Sequence, residues 1–135
     1  MQTVACFGDS LIYGFPFGPR ISWLAEAEKL TGDKFLNYGV CGDCTDDILS
    51  SLKTMTLPAH IKHILFLGGA NDIIQMHPQK FILEDLDKTL RDVYKRQVVF
   101  LISSLILYMT VPVAVRWYFY QDVRCAANGV RIRKV

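Results

Sequence analysis

Thr3-Val4-Ala5-Cys6-Phe7-Gly8, running directly into Asp9-Ser10, decides how this chain is read. The run is apolar without strict alternation and stops at a glycine, the pattern of a short strand covered on both faces. Two further stretches repeat it: residues 34–38 end at Gly39, and residues 63–67 end at Gly68-Gly69. Helical periodicity fills the intervals. After the loop Gly14-Phe15-Pro16-Phe17-Gly18-Pro19, the residues Ile21, Leu24, Ala25, Ala27 and Leu30 recur at helical spacing up to Gly32, a predicted C-cap. Thr45 or Asp46 is placed to cap a helix carrying Ile48, Leu49 and Leu52, with acids in the first turn as the helix dipole prefers. Pro78 suits the first turn of another helix, with Phe81, Ile82, Leu86 and Leu90 along one face.

Strand and helix alternating in this way predict βαβ units and an open α/β domain with a parallel sheet. Such sheets place ligands beyond the carboxyl ends of the strands. The segments there are Gly8-Asp9-Ser10, residues 39–45 and residues 68–72, three loops expected to lie side by side. The 135 residues, 51% hydrophobic and 12% aromatic, fit one domain and exclude a disordered chain. Four cysteines are too few and too scattered for a disulfide scaffold, which favours a reducing compartment. No cationic flank or small-residue cleavage site accompanies the first apolar run, so no secretory signal is read and a cytoplasmic location is expected. No basic arm supports nucleic-acid binding. Oligomeric state is not legible.

Ser10 falls where a strand hands over to a turn, so its hydroxyl is expected at the sheet's rim, where it can attack a carbonyl carbon if a base takes its proton. Its alternative role is a helix N-cap. Ile12 stands where a G-x-S-x-G elbow would need glycine. Gly42 would bring a backbone N–H close to a reacting centre, or would simply supply a positive φ in a turn. Asn71 offers an amide donor that cannot ionise, suited to a developing oxyanion, or it caps a turn. Cys41 and Cys44 form a single C-x-x-C without a second pair; zinc or redox work is the minor reading. His60 and His63 read as surface histidines rather than metal ligands, and Asp43, Asp46 and Asp47 as helix-start acids rather than a cation site. No metal or organic cofactor is called for. His77, beside the third loop, is a candidate base.

Phe7-Gly8-Asp9-Ser10-Leu11, Gly39-Val40-Cys41-Gly42-Asp43-Cys44-Thr45 and Gly69-Ala70-Asn71-Asp72, in this order and each just past a predicted strand, resemble the first three sequence blocks of the GDSL, or SGNH, ester hydrolases. The resemblance covers about residues 2–90. It implies a three-layer, flavodoxin-like open sheet and hydrolysis of a small carboxylic ester through an acyl-enzyme on Ser10. It assigns the oxyanion hole to the Ser10 N–H, the Gly42 N–H and the Asn71 amide. Phe15, Phe17 and Trp23 are candidates for an apolar acyl site, with core packing as the alternative. A non-catalytic phosphate- or nucleotide-binding module is the rival, although neither G-x-G-x-x-G nor G-x-x-x-x-G-K-[ST] occurs.

The family's fourth block, D-x-x-H, supplies the base and its orienting acid. No histidine follows His77, and none of the three histidines has Asp at i−3, so the chain reads as a truncated member and a poor hydrolase as written. Composition also changes along it. Residues 1–91 carry eight Lys/Arg against eleven Asp/Glu, whereas residues 98–135 carry five against one. At the seam, Asp92-Val93-Tyr94-Lys95-Arg96-Gln97 looks like a translated frame of a transposon-end adapter used in sequencing libraries. The expected organisation is therefore 1–91 as hydrolase domain, 92–97 as an adapter-derived junction, and 98–135 as an apolar, basic tail that is either a fourth strand or unrelated sequence. Residues 98–115 are uncharged and reach the minimal length of a membrane span, with strand 98–102 as the favoured alternative.

Overall fold

The computed structural model describes residues 1–96 and the backbone of residues 99–102. Strands β1 (Thr3–Gly8), β2 (Lys34–Gly39), β3 (His63–Leu67) and β4 (Val99–Ile102) form one parallel sheet in the order β2-β1-β3-β4. Register aligns Gly8 with Gly39 on one side and with Leu67 on the other, so β1, β2 and β3 end level. The chain leaves β1 toward one side and crosses back over it to β3. The crevice of an open α/β sheet lies where the strand order reverses in this way, here between the ends of β1 and β3.

Alternation along β1 sends its side chains to opposite faces. Val4 and Cys6 pack with Ile12 of α1 (Ser10–Tyr13) and Leu24 of α2 (Trp23–Thr31), closed by Phe35, Leu65 and Leu67. On the other face Phe7 stacks on Tyr38 with ring centroids 5.0 Å apart. There α3 (Thr45–Thr54) packs against β1 and against α5 (Gln79–Lys95), which also meets β4. A short helix, α4 (Ala70–Ile74), follows β3. Phe7 and Phe66 are wholly buried, each contributing about 1.5–3 kcal/mol of transfer free energy. The three-layer parallel α/β architecture expected from the sequence is the one found.

Several local expectations shift. Helix α2 starts at Trp23, capped by Ser22 Oγ on the Ala25 N–H, and buries only Leu24; Ile21 lies in a preceding 3-10 turn (Pro19–Ile21), and both Ile21 and Leu30 face solvent. Gly32 closes α2 with φ +73°, as its position predicted. Cys44, not Thr45 or Asp46, is the N-cap of α3: its N–H donates to Asp47 Oδ2 at 3.1 Å. Pro78 is the N-cap of α5 rather than part of its first turn. The buried face of α5 is Ile82, Leu86, Thr89 and Val93, leaving Phe81 exposed.

Helix α5 continues through residue 92 to Lys95. Beyond it the Arg96 guanidinium pairs with Asp92 at 2.7 Å and donates to the Leu52 and Met55 carbonyls at 2.9 and 3.1 Å, satisfying orphan acceptors at the end of α3. Among the described residues, no helix is long and apolar enough to cross a membrane. The membrane reading of 98–115 and the rest of the basic tail to residue 135 lie outside the described residues, apart from the β4 backbone.

Candidate active site

Ser10 begins α1 immediately past β1, half-buried at the rim. The cap of that helix is Asp9, whose Oδ1 accepts the Leu11 N–H at 2.8 Å. Ser10 therefore does no capping, and its hydroxyl makes no hydrogen bond within the described residues. Two glycines let α1 lie tight on the sheet's end. A Cβ on Gly8 would run into the Leu67 carbonyl and the Ile12 side chain, and one on Gly39 into the backbone of Ile12 and Tyr13. Asn37 Nδ2 then donates to the Ile12 carbonyl at 2.7 Å, and Gly14, at φ +95°, ends the helix. Ser10 is thus held by backbone packing on two strands.

The three rim loops are joined by hydrogen bonds. Val40 N donates to Gly8 O at 3.0 Å, tying the second loop to the first, and Asp9 N reaches Leu67 O at 3.4 Å, tying the first to β3. Asn71, at the start of α4, donates from Nδ2 to Asp43 O at 2.8 Å, tying the third loop to the second. One N–H of its amide remains. Gly42, next to Asp43, is exposed with φ +93° and open space where a Cβ would stand. The turn requirement weighed from the sequence is therefore present at Gly42.

Behind this rim lies a buried acidic pair that the sequence blocks contain but whose role they do not reveal. Asp72 accepts the Thr45 N–H at 2.9 Å and the Thr45 hydroxyl at 2.8 Å, and its side chain lies 3.4 Å from His77 Nδ1. His77 thus has an aspartate neighbour after all, five residues upstream. It is brought there by a reversal at Met76, which adopts φ +59°. Asp9 is 1% exposed, and its Oδ2 has no hydrogen-bond partner. Burial pushes its carboxyl above the usual range, opposed by the Leu11 N–H and abetted by the charge of Asp72. Asp43 is also raised, by burial and then by Asp47, Asp46 and Asp9. Burial and the same acidic surroundings push the Cys44 thiol up to about 11.

Other sequence candidates disperse. Cys41 is exposed and Cys44 buried, both free thiols; His60 is exposed and His63 half-buried at the start of β3. Asp46 and Asp47 occupy the first turn of α3, as helix-start acids. Phe15, Phe17 and Trp23 do not pack in the core: they are 69%, 73% and 47% exposed, and Leu11 and Ile21, in the same segment after Ser10, are exposed too. Trp23 is fastened there by its indole N–H on the Leu11 carbonyl at 2.9 Å.

The sequence profile of the GDSL-like Lipase/Acylhydrolase family matches residues 6–133. The chain belongs to that family. Solved structures of GDSL and SGNH proteins share its fold. A lipolytic protein of the G-D-S-L family from Desulfitobacterium hafniense DCB-2 superposes with a TM-score of 0.72 at 16% identity, over 96% of this chain and 75% of that one. AlinE4, an SGNH-hydrolase family esterase, gives 0.70 at 21% identity, over 95% and 69%. The psychrotrophic esterase EstA from Pseudoalteromonas sp., in a structure inhibited by monoethylphosphonate, gives 0.66 at 14%, over 96% and 74%. No curated protein matches the chain by sequence. GDSL-family membership does not favour the nucleotide-binding reading.

Proposed function

We propose that this GDSL-family chain is built to hydrolyse small carboxylic esters, with Ser10 as nucleophile. Ser10 Oγ would add to the ester carbonyl while a base removes its proton; the alcohol leaves, and water then releases the acid from the acyl-serine. The Ser10 N–H, the Gly42 N–H and the second N–H of Asn71 would receive the negative oxygen. The observation that carries this reading is the relief of Ser10 from capping: Asp9 holds the helix end, leaving a rim hydroxyl uncommitted. The exposed Phe15, Phe17 and Trp23 offer an apolar bed for the acyl group. Free Cys6, Cys41 and Cys44 fit a reducing, cytoplasmic setting.

The base is the weak point of the 135-residue chain: its sequence holds no D-x-x-H, and His77, whose aspartate neighbour is Asp72 five residues upstream, departs from that spacing. We infer that the chain alone turns over slowly, with roughly 10³–10⁴ over water remaining from binding and the oxyanion hole. Fluorophosphonate labelling tests both statements. Slow labelling that imidazole in the buffer accelerates, and that Ser10→Ala abolishes, supports them. Labelling unchanged in Ser10→Ala overturns the nucleophile, and fast labelling without imidazole overturns the missing base.

A further inference from the structure

We propose that Cys44, Asp72 and His77 form a zinc site between the N-terminus of α3 and the turn after α4, with a fourth position open to water. One ligand atom from each side chain lies within 4.8 Å of the others, and two of the three residues are buried. Among the described residues they are the one group of metal-binding side chains brought this close. Thiolate, imidazole and carboxylate are the donor types that zinc takes, and three protein ligands plus water is its usual open arrangement.

The surroundings orient the ligands as metal sites require. Thr45 grips both Asp72 oxygens, its N–H on Oδ2 and its hydroxyl on Oδ1, and the same Oδ1 lies 3.4 Å from His77 Nδ1. Gln75 Nε2 donates to Cys44 Sγ at 3.4 Å and fixes the sulfur. The left-handed Met76 turns His77 back over Asp72, where its N–H also bonds the Asp72 carbonyl at 2.8 Å. His77 keeps 39% of its side chain exposed, which gives an ion a route in. On binding, the Zn–S bond replaces the S–H bond and the proton goes to solvent. The site involves neither Ser10 nor Asn71, so it stands whether or not the chain is an esterase.

The test uses the full 135-residue chain carrying Cys41→Ser and Cys125→Ser, reduced and stripped by chelator. Zinc is titrated in competition with a chromophoric chelator, and cobalt is added separately for spectroscopy. Expected are one zinc per chain, roughly tenfold or greater weakening in His77→Gln, no change in His60→Gln, and a thiolate-to-cobalt charge-transfer band that Cys44→Ser removes. If Cys44→Ser fails to fold, the exposed His77→Gln variant, checked by circular dichroism, decides alone. No zinc uptake in competition, equal affinity in His77→Gln, or a cobalt spectrum without the sulfur band in the starting protein would each overturn the site.

Discussion

Asn71 Nδ2 donates to the main-chain oxygen of Asp43 at 2.8 Å, so a single carboxamide links the loop after β3 to the loop after β2. One N–H ties the loops together, and the other is the donor proposed for the oxyanion. Asn71→Ala removes both functions. It is expected to lower the rate of Ser10 labelling by about 10²–10³, equivalent to about 3–4 kcal/mol. Thermal melting should fall by much less, and a comparison of labelling rate with melting temperature separates the two effects.

Asp72 holds Thr45 through two hydrogen bonds inside the protein. Asp72→Ala leaves the Thr45 N–H and hydroxyl without acceptors. The expected loss is about 3 kcal/mol in urea unfolding, since bonds to a charged group contribute about 1.5–3 kcal/mol each and part is regained by relaxation. Thr45→Val, which keeps the backbone bond, should cost about half as much.

Glycines on the rim differ in what they protect. Gly39→Ala forces a methyl into the backbone of Ile12 and Tyr13 and is expected to destabilise by about 3 kcal/mol or more. Gly42→Ala meets open space, so its cost is only the left-handed backbone, about 1–2 kcal/mol. The second variant should fold yet label more slowly than its stability loss explains.

Burial raises the Asp9 carboxyl in the folded protein. A raised acid favours the native state when protonated: its contribution is full below about pH 4, the unfolded value, and is lost as pH rises through the folded value. Asp9→Asn, whose side-chain oxygen still accepts from Leu11, should remove that loss. The variant is expected to melt alongside the parent at pH 3 and above it at pH 7. Parallel melting curves at every pH would contradict this.

Arg96 fastens the end of α3 from within the stretch that resembles an adapter. Arg96→Ala should cost about 1–2 kcal/mol of stability. The adapter-derived junction read at residues 92–97 is a proposal of its own, and the locus tests it. Amplification and sequencing across codons 92–97 should interrupt the reading frame there; an uninterrupted native run through Gln97 would refute the junction.

The strands at 34–39 and 63–67 and the Gly32 cap were legible because each rests on a local rule: an apolar run, a stop, a left-handed residue. That the three rim loops lie side by side followed from where parallel strands end. What local rules missed depends on contacts across the chain. Phe81 looks apolar-facing by spacing, but the position of α5 against α3 selects Ile82, Leu86, Thr89 and Val93 instead. Ser10 and Asp9 are both good capping residues, and only the folded backbone decides that Asp9 takes the role. Thr45 and Asp72 are 27 residues apart, and no periodicity announces their bond. His77 found its acid at an unexpected spacing because Met76 adopts a conformation rare outside glycine.

Leu11, Phe15, Phe17, Ile21 and Trp23, all within the segment that follows the proposed nucleophile, remain bare to solvent. Water gains by shedding such a surface whenever another greasy one is offered. The purified chain should accordingly be retained on phenyl resin and released by mild detergent, and emulsified esters should be met by this side of the molecule first.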